Sequence, residues 1–160
     1  MATKEQIKAV IEVLNTARSM ELQGITQYMN HHYSLGGDDY GKLASEMKKI
    51  AKDEMKHAEA FAERIKDIDN TLEPTCKLAA DAIKGVKGAA IYDTDAASED
   101  NTITKYSGFA KICRDNNDFV SATLFERIIN EEQEHFNYFS DTAEHIKTLG
   151  NSFLARQTGE

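Results

Sequence analysis

Apolar residues recur at intervals of three and four along most of the chain, the period of a helix buried on one side. Thr3 and Gln6 have the spacing of a capping box and open a first helix. Its apolar face runs through Ile7, Val10, Ile11, Leu14, Ala17, Ile25 and Tyr28, and Glu21 interrupts it. The stretch from Ser34 to Asp39 supplies glycines to stop this helix and Asp to cap the next. A second helix carries Leu43, Met47, Ile50, Phe61, Ile65 and Ile68, with Glu54 and His57 set into the same stripe. From Asp69 to about Asp93 the pattern fades, because Pro74 breaks any helix and Gly85 and Gly88 dilute the rest. A third helix is expected to begin near Thr94 or Asp95, with Glu99, Ile103, Tyr106, Ala110 and Cys113 along one side. Asp115 to Asp118 form a second short turn. The fourth helix presents Leu124, Ile128, Glu132, His135, Phe139 and Ile146; Gly150 ends it, and residues 151–157 form a short fifth helix.

These elements predict an all-α bundle of four long helices in two antiparallel hairpins, 4–69 and 94–149. The intervening residues 70–93 are too many for a tight turn, so they cross the bundle from end to end. A chain of 160 residues is long enough for one domain with a substantial core, spanning residues 1–160. One Pro and no Trp agree with helix over sheet.

Two segments carry the chemistry. Asp53-Glu54-Met55-Lys56-His57 and Glu131-Glu132-Gln133-Glu134-His135 each contain Glu-x-x-His, which puts a carboxylate and an imidazole one turn apart on one helix face. A Glu stands 33 residues before each: Glu21 before Glu54, and Glu99 before Glu132. Shifting 21, 54 and 57 by 78 gives 99, 132 and 135. The first Glu pair is centred on Gly37-Asp38 and the second on Asp115-Asn116, the two predicted turns. In antiparallel hairpins each pair therefore lies at one height, about 25 Å from its turn. Packed about a pseudo-two-fold axis, the hairpins bring four Glu and two His together at mid-bundle.

Four carboxylates cannot be buried together without a counter-charge. Two divalent cations balance them with both His neutral. Carboxylate and imidazole ligands suit iron or manganese better than zinc, and this ligand pattern is that of di-iron and di-manganese carboxylate bundles. A single Glu-x-x-His is ordinarily a solvated helical pair. Two in register, each with an upstream Glu inside an apolar stripe, are not.

The formal net charge of −8 disfavours nucleic acid and anionic membrane surfaces as partners and suits a cation. Cys76 and Cys113 are too few and too far apart in sequence for a disulfide framework or a Cys-x-x-Cys site, and are read as reduced thiols. The first residues lack the apolar run of a secretion signal, and no stretch reaches the ~20 apolar residues of a membrane span. A cytoplasmic protein is expected.

Over nearly its whole length the chain resembles the bacterioferritins. The segments that carry the resemblance are Glu21 to Tyr28, Asp53 to Ala58, Asp118 to Ser121, Glu126 to His135 and, more weakly, Leu149 to Leu154. The resemblance implies a ferritin-like fold with two iron ions per subunit. Glu21 and His57 would hold one ion, Glu99 and His135 the other, and Glu54 and Glu132 would bridge them. It implies a ferroxidase that oxidises Fe(II) with O2 or H2O2 and stores ferric mineral in a hollow 24-subunit shell built from two-fold dimers. A ferredoxin-type or other electron donor would serve iron release. Tyr28, two turns after Glu21, is a hydrogen-bond partner or electron donor near the metals, or a packing residue of the core.

Met55 points about 100° away from the metal face, on a flank with Lys48, Lys52 and Glu59. Leu22 and Met29 give the first helix a matching apolar flank, the mark of a helix interface. In bacterioferritins the Met in this slot is an axial ligand of a haem shared between two subunits, and thioether ligation suits an iron porphyrin. The alternative is a Met that only packs in a dimer interface. The chain departs from many relatives at Lys49, where they carry a His five residues before the helix-two Glu, and at Phe61, where some carry Tyr. Lys49 removes an imidazole from the inner-surface iron site of those relatives. Three other functions share parts of this pattern: a rubrerythrin-like di-iron peroxide reductase, a dodecameric mini-ferritin using Cys76 and Cys113, and a haem electron carrier that stores nothing. Particle mass separates them.

Overall fold

The computed structural model describes residues 2–159. Its helices are α1 (Lys4–Gly37), α2 (Gly41–Ile68), α3 (Ala89–Asp115), α4 (Phe119–Leu149) and the short α5 (Asn151–Leu154). The capping box that opens α1 is formed: Thr3 Oγ1 accepts from the Gln6 amide and Gln6 Oε1 from the Thr3 amide. Helices α1 and α2 make one antiparallel hairpin, and α3 and α4 the other.

The chain between the hairpins, residues 69–88, runs beside α1 in the same direction. Asn15 Oδ1 accepts from the Thr75 amide at 2.9 Å, and the Ser19 carbonyl accepts from the Ala79 amide at 3.0 Å. The Gln27 amide clamps both backbone groups of Ile83, at 2.7 and 2.9 Å. These bonds satisfy a backbone that has no helix of its own. By returning the chain along the bundle they set α3 antiparallel to α1 and α4 antiparallel to α2.

Several boundaries differ from expectation. Helix α3 begins at Ala89 rather than near Thr94 or Asp95, because Ile91 and Tyr92 are fully buried and their burial extends the helix by more than a turn. Thr94 and Asp95 are not caps. Thr94 Oγ1 donates to the Ala90 carbonyl at 2.7 Å, and buried Asp95 lies 2.8 Å from His31 Nδ1. The crossover is shorter by the same amount. At the first turn α1 continues through both glycines, and Asp39 takes the left-handed position with φ 68°. The expected Asp cap of α2 is absent; instead the Gln157 carbonyl accepts from the Lys42 amide at 3.1 Å. Serving as that acceptor, the tail has left the helix at Leu154, so α5 is shorter than 151–157.

The core has two halves. Leu14, Phe61, Tyr106, Phe125 and Ile128 fill the end near the α3–α4 turn, and Leu35, Met47, Tyr92 and Phe139 fill the other. A layer of polar side chains lies between them. Phe125 anchors its half, with ring centroids 5.1 Å from Phe61, 5.3 Å from Tyr106 and 5.7 Å from Phe109. Replacing Phe125 with Ala should cost about 3–5 kcal/mol in chemical denaturation of the metal-free protein, and a loss below about 1 kcal/mol would contradict this packing.

Candidate metal centre

The polar layer is built from Glu21 on α1, Glu54 and His57 on α2, Glu99 on α3, and Glu132 and His135 on α4. None is more than 7% exposed. They form two overlapping groups, Glu21–Glu54–His57–Glu132 and Glu54–Glu99–Glu132–His135. Within each group one donor atom per residue lies within 4.8 Å of the others. All six side chains singled out from the sequence thus converge, with Glu54 and Glu132 common to both groups.

The donor atoms crowd one another, and only His135 Nδ1 and Glu132 Oε2, 3.1 Å apart, form an aligned hydrogen bond among them. His57 Nδ1 is 3.0 Å from Glu132 Oε1, 3.6 Å from Glu21 Oε2 and 3.8 Å from Glu54 Oε1. His135 Nδ1 is 3.1 Å from Glu54 Oε1. Yet Glu21 Oε2, Glu54 Oε1, His57 Nδ1 and Glu132 Oε1 are buried and lack any aligned hydrogen-bond partner. Buried polar atoms are almost always satisfied, so four orphans facing one point call for a cation. The donor set fits two divalent ions.

Proton affinities carry the same signature. Burial raises Glu54 well above the usual carboxylate range, and the charges of Glu132, Glu21 and Glu99 raise it further. Glu21 and Glu99 are raised by burial and by Glu132. Burial opposes a charged His57, but Glu132 and Glu21 outweigh it and hold the imidazole at about 11. Burial also opposes an ionised Glu132, but the hydrogen bond to His135 and the adjacent His57 imidazole bring it down to about 2. Without metal, burial and crowding push the cluster toward its protonated forms.

A second ring of side chains orients the first. Each His presents Nδ1 to the centre and Nε2 to a carboxylate of the facing helix. His57 Nε2 is 2.9 Å from Glu131 Oε2, and His135 Nε2 is 3.7 Å from Asp53 Oδ2. Such outer carboxylates fix ring orientation and tautomer. Tyr28 donates from its hydroxyl to Glu99 Oε1. Tyr106 donates in the same way to Glu21 Oε1. On α1, a Cβ added to Gly24 would lie 3.0 Å from Glu54 Oε2, so the helix comes close to this carboxylate only because it has no side chain there. Tyr106, Asp53, Glu131 and Gly24 escaped the sequence analysis as site residues. The first three had a signal: the 78-residue shift that relates the ligands also relates Tyr28 to Tyr106 and Asp53 to Glu131.

Met55 lies outside this centre, 56% exposed in an open groove of about 670 Å³ that also contains Leu22, Ile25, Lys52 and Glu59. Ile25, assigned by periodicity to the core face, lines this groove instead. Met29 packs against the second half of the core rather than flanking Met55. Lys49 pairs with exposed Glu46 at 3.0 Å. Phe61 sits edge-to-face on Tyr106. Cys76 is exposed and Cys113 buried, both as free thiols; burial pushes the Cys113 thiol up to about 12. Among the described residues no helix is long and apolar enough to cross a membrane.

A four-helix bundle with a carboxylate–imidazole pocket at its middle defines a class, and the comparisons agree. The ferritin-like domain profile matches residues 11–149. The bacterioferritin of Desulfovibrio desulfuricans is 53% identical over 157 residues, covering 98% of this chain and 87% of that protein. Bacterioferritin BfrA of Mycobacterium tuberculosis is 28% identical over 148 residues, 92% of each chain. The crystal structure of the Desulfovibrio protein, which has a diiron site seen in different catalytic states, superposes with a TM-score of 0.94 at 51% identity, covering 98% of this chain and 90% of the other. The Mycobacterium tuberculosis structure gives 0.89 at 26% identity, covering 99% and 98%. The chain belongs to the ferritin-like family and, within it, to the bacterioferritins.

Because burial and mutual repulsion raise the proton affinity of Glu21, Glu54 and Glu99, and His57 is held at about 11, cations compete with protons for this cluster. Divalent metal affinity should therefore fall as the pH is lowered. Calorimetry in two buffers of different ionisation enthalpy should register net proton release, and buffer-independent heats would contradict the assignment.

Proposed function

We propose that this protein is an iron-storage bacterioferritin with ferroxidase activity, Fe(II) being the substrate and O2 or H2O2 the oxidant. One observation carries this: four Glu and two His, all buried, gather their donor atoms into two overlapping groups, and Glu21 Oε2, Glu54 Oε1, His57 Nδ1 and Glu132 Oε1 among them have no hydrogen-bond partner. Glu21 and His57 would hold one ion, Glu99 and His135 the other, and Glu54 and Glu132 both. Two Fe(II) supply two electrons, which with two protons convert one H2O2 to two waters. Hard carboxylates favour Fe(III) over Fe(II) and so assist the oxidation. Asp53 and Glu131 keep both imidazoles turned inward. Tyr28 would hold Glu99 through its hydroxyl. The diiron site of the Desulfovibrio relative supports this assignment.

The groove at Met55 fits a haem shared between two copies of the chain. An exposed thioether stands on an apolar floor of Leu22, Ile25 and Ala58 with Lys52 at its margin, half of a site that a two-fold partner would complete. Dimers of this kind would build the 24-subunit shell that holds ferric mineral. The protein would work in the cytoplasm, with a ferredoxin-type or other donor reducing stored iron.

Replacing Glu54 or Glu132 with Ala should abolish rapid Fe(II) oxidation in stopped-flow absorbance while the bundle stays folded, because relief of carboxylate repulsion offsets the lost contacts. Unchanged kinetics in both variants would refute the centre. Replacing Met55 with Leu should remove the Soret band from purified protein and spare iron uptake. A retained haem would eliminate the thioether ligand.

A further inference from the structure

Tyr106 belongs to the outer ring, but the proposed function gives it no task of its own. Its ring is fully buried, with centroids 5.6 Å from Phe61 and 5.3 Å from Phe125, in the apolar half-core below the metal centre. Its hydroxyl leaves that apolar setting to donate to Glu21 Oε1, with the Ala17 carbonyl 3.2 Å away. Tyr28 stands in the repeat-related place and donates to Glu99 Oε1. Each phenol therefore covers one oxygen of a carboxylate that belongs to only one of the two ligand groups. Neither touches Glu54 or Glu132, which are shared.

We infer that Tyr106 is a positioning residue for the half of the centre formed by Glu21 and His57. By occupying Oε1 it leaves Oε2 as the one free oxygen of Glu21. That atom is buried, has no hydrogen-bond partner and lies 3.6 Å from His57 Nδ1. The carboxylate is thereby locked about its terminal torsion and offers a cation a single oxygen. With the hydroxyl removed, Glu21 can rotate and offer either oxygen or both, and the ordered ligand becomes a mobile one. Outer partners of this kind typically change metal affinity about 10- to 100-fold. The Tyr28–Glu99 contact does the same for the opposite half, so the two phenols sort the terminal carboxylates from the bridging ones.

The inference rests on the di-iron assignment, and one experiment separates the two. Full-length metal-free protein is titrated with Co2+, followed by calorimetry and by visible absorption of the bound ion. The parent protein should bind two Co2+ per chain. Replacing Tyr106 with Phe should weaken one of them about tenfold and shift its absorption bands while leaving the other unchanged. The Tyr28→Phe variant should weaken the other ion, and the double variant both. The Tyr106→Leu variant lacks the same hydroxyl but packs differently, and it should show the same site-selective loss. Two ions bound by Tyr106→Phe with parental affinities and spectrum would overturn the role of Tyr106 and leave the di-iron assignment standing. Equal weakening of both ions, or a loss in the Leu variant alone, would reduce Tyr106 to packing. Fewer than two Co2+ on the parent protein would overturn the di-iron assignment itself.

Discussion

Carboxylates repel one another most strongly where water cannot screen them, and this bundle places four of them in one dry layer. Nothing in the apolar halves on either side can answer that charge. Without metal the protein compromises by raising the proton affinity of Glu54, Glu21 and Glu99 and by setting a cationic His57 against an ionised Glu132. The compromise is incomplete, since four donor atoms remain without partners. A hydrophobic layer of equal volume would stabilise the fold better, so the acidic layer serves a ligand rather than the fold. Two cations resolve the conflict at once, replacing the protons and pairing the orphaned atoms.

The same constraint explains the architecture around the layer. Both hairpins place their carboxylates at equal distance from their turns, and the extended crossover ensures that the hairpins meet with α1 against α3 and α2 against α4. Register is enforced by particular contacts: Gln27 clamps Ile83, His31 meets Asp95, and Arg64 bonds Asp118 and Ser121 at the opposite end. The duplication extends beyond the ligands. Tyr28 and Tyr106, Asp53 and Glu131, and buried Phe61 and Phe139 are all related by the same 78-residue shift.

The convergence of the six side chains was legible in the sequence because helical spacing converts directly into geometry. Glu-x-x-His fixes two ligands on one face, and equal distances to a turn fix two helices at one height. The outer ring was less legible. Tyr106 looked like one more apolar position on α3; its bond to Glu21 and its 78-residue relation to Tyr28 distinguish it from Phe109 or Phe125. Gly24 gave no signal, because what matters there is the absence of a side chain beside Glu54. Boundaries failed where tertiary contacts override local propensity. Thr94 and Asp95 resemble caps, but buried Ile91 and Tyr92 start α3 earlier, and the tail at Gln157 replaces the Asp expected to cap α2. Ile25 and Met29 exchanged places for a related reason: Ile25 faces the Met55 groove and Met29 packs inward.

Crystals grown with ferrous salt and measured at the iron absorption edge test the central claim most directly. The expected anomalous map has two peaks in each chain, one between Glu21 and His57 and one between Glu99 and His135, with Glu54 and Glu132 touching both. A map with no peak in the bundle, or with those six side chains turned away from any bound iron, would contradict it.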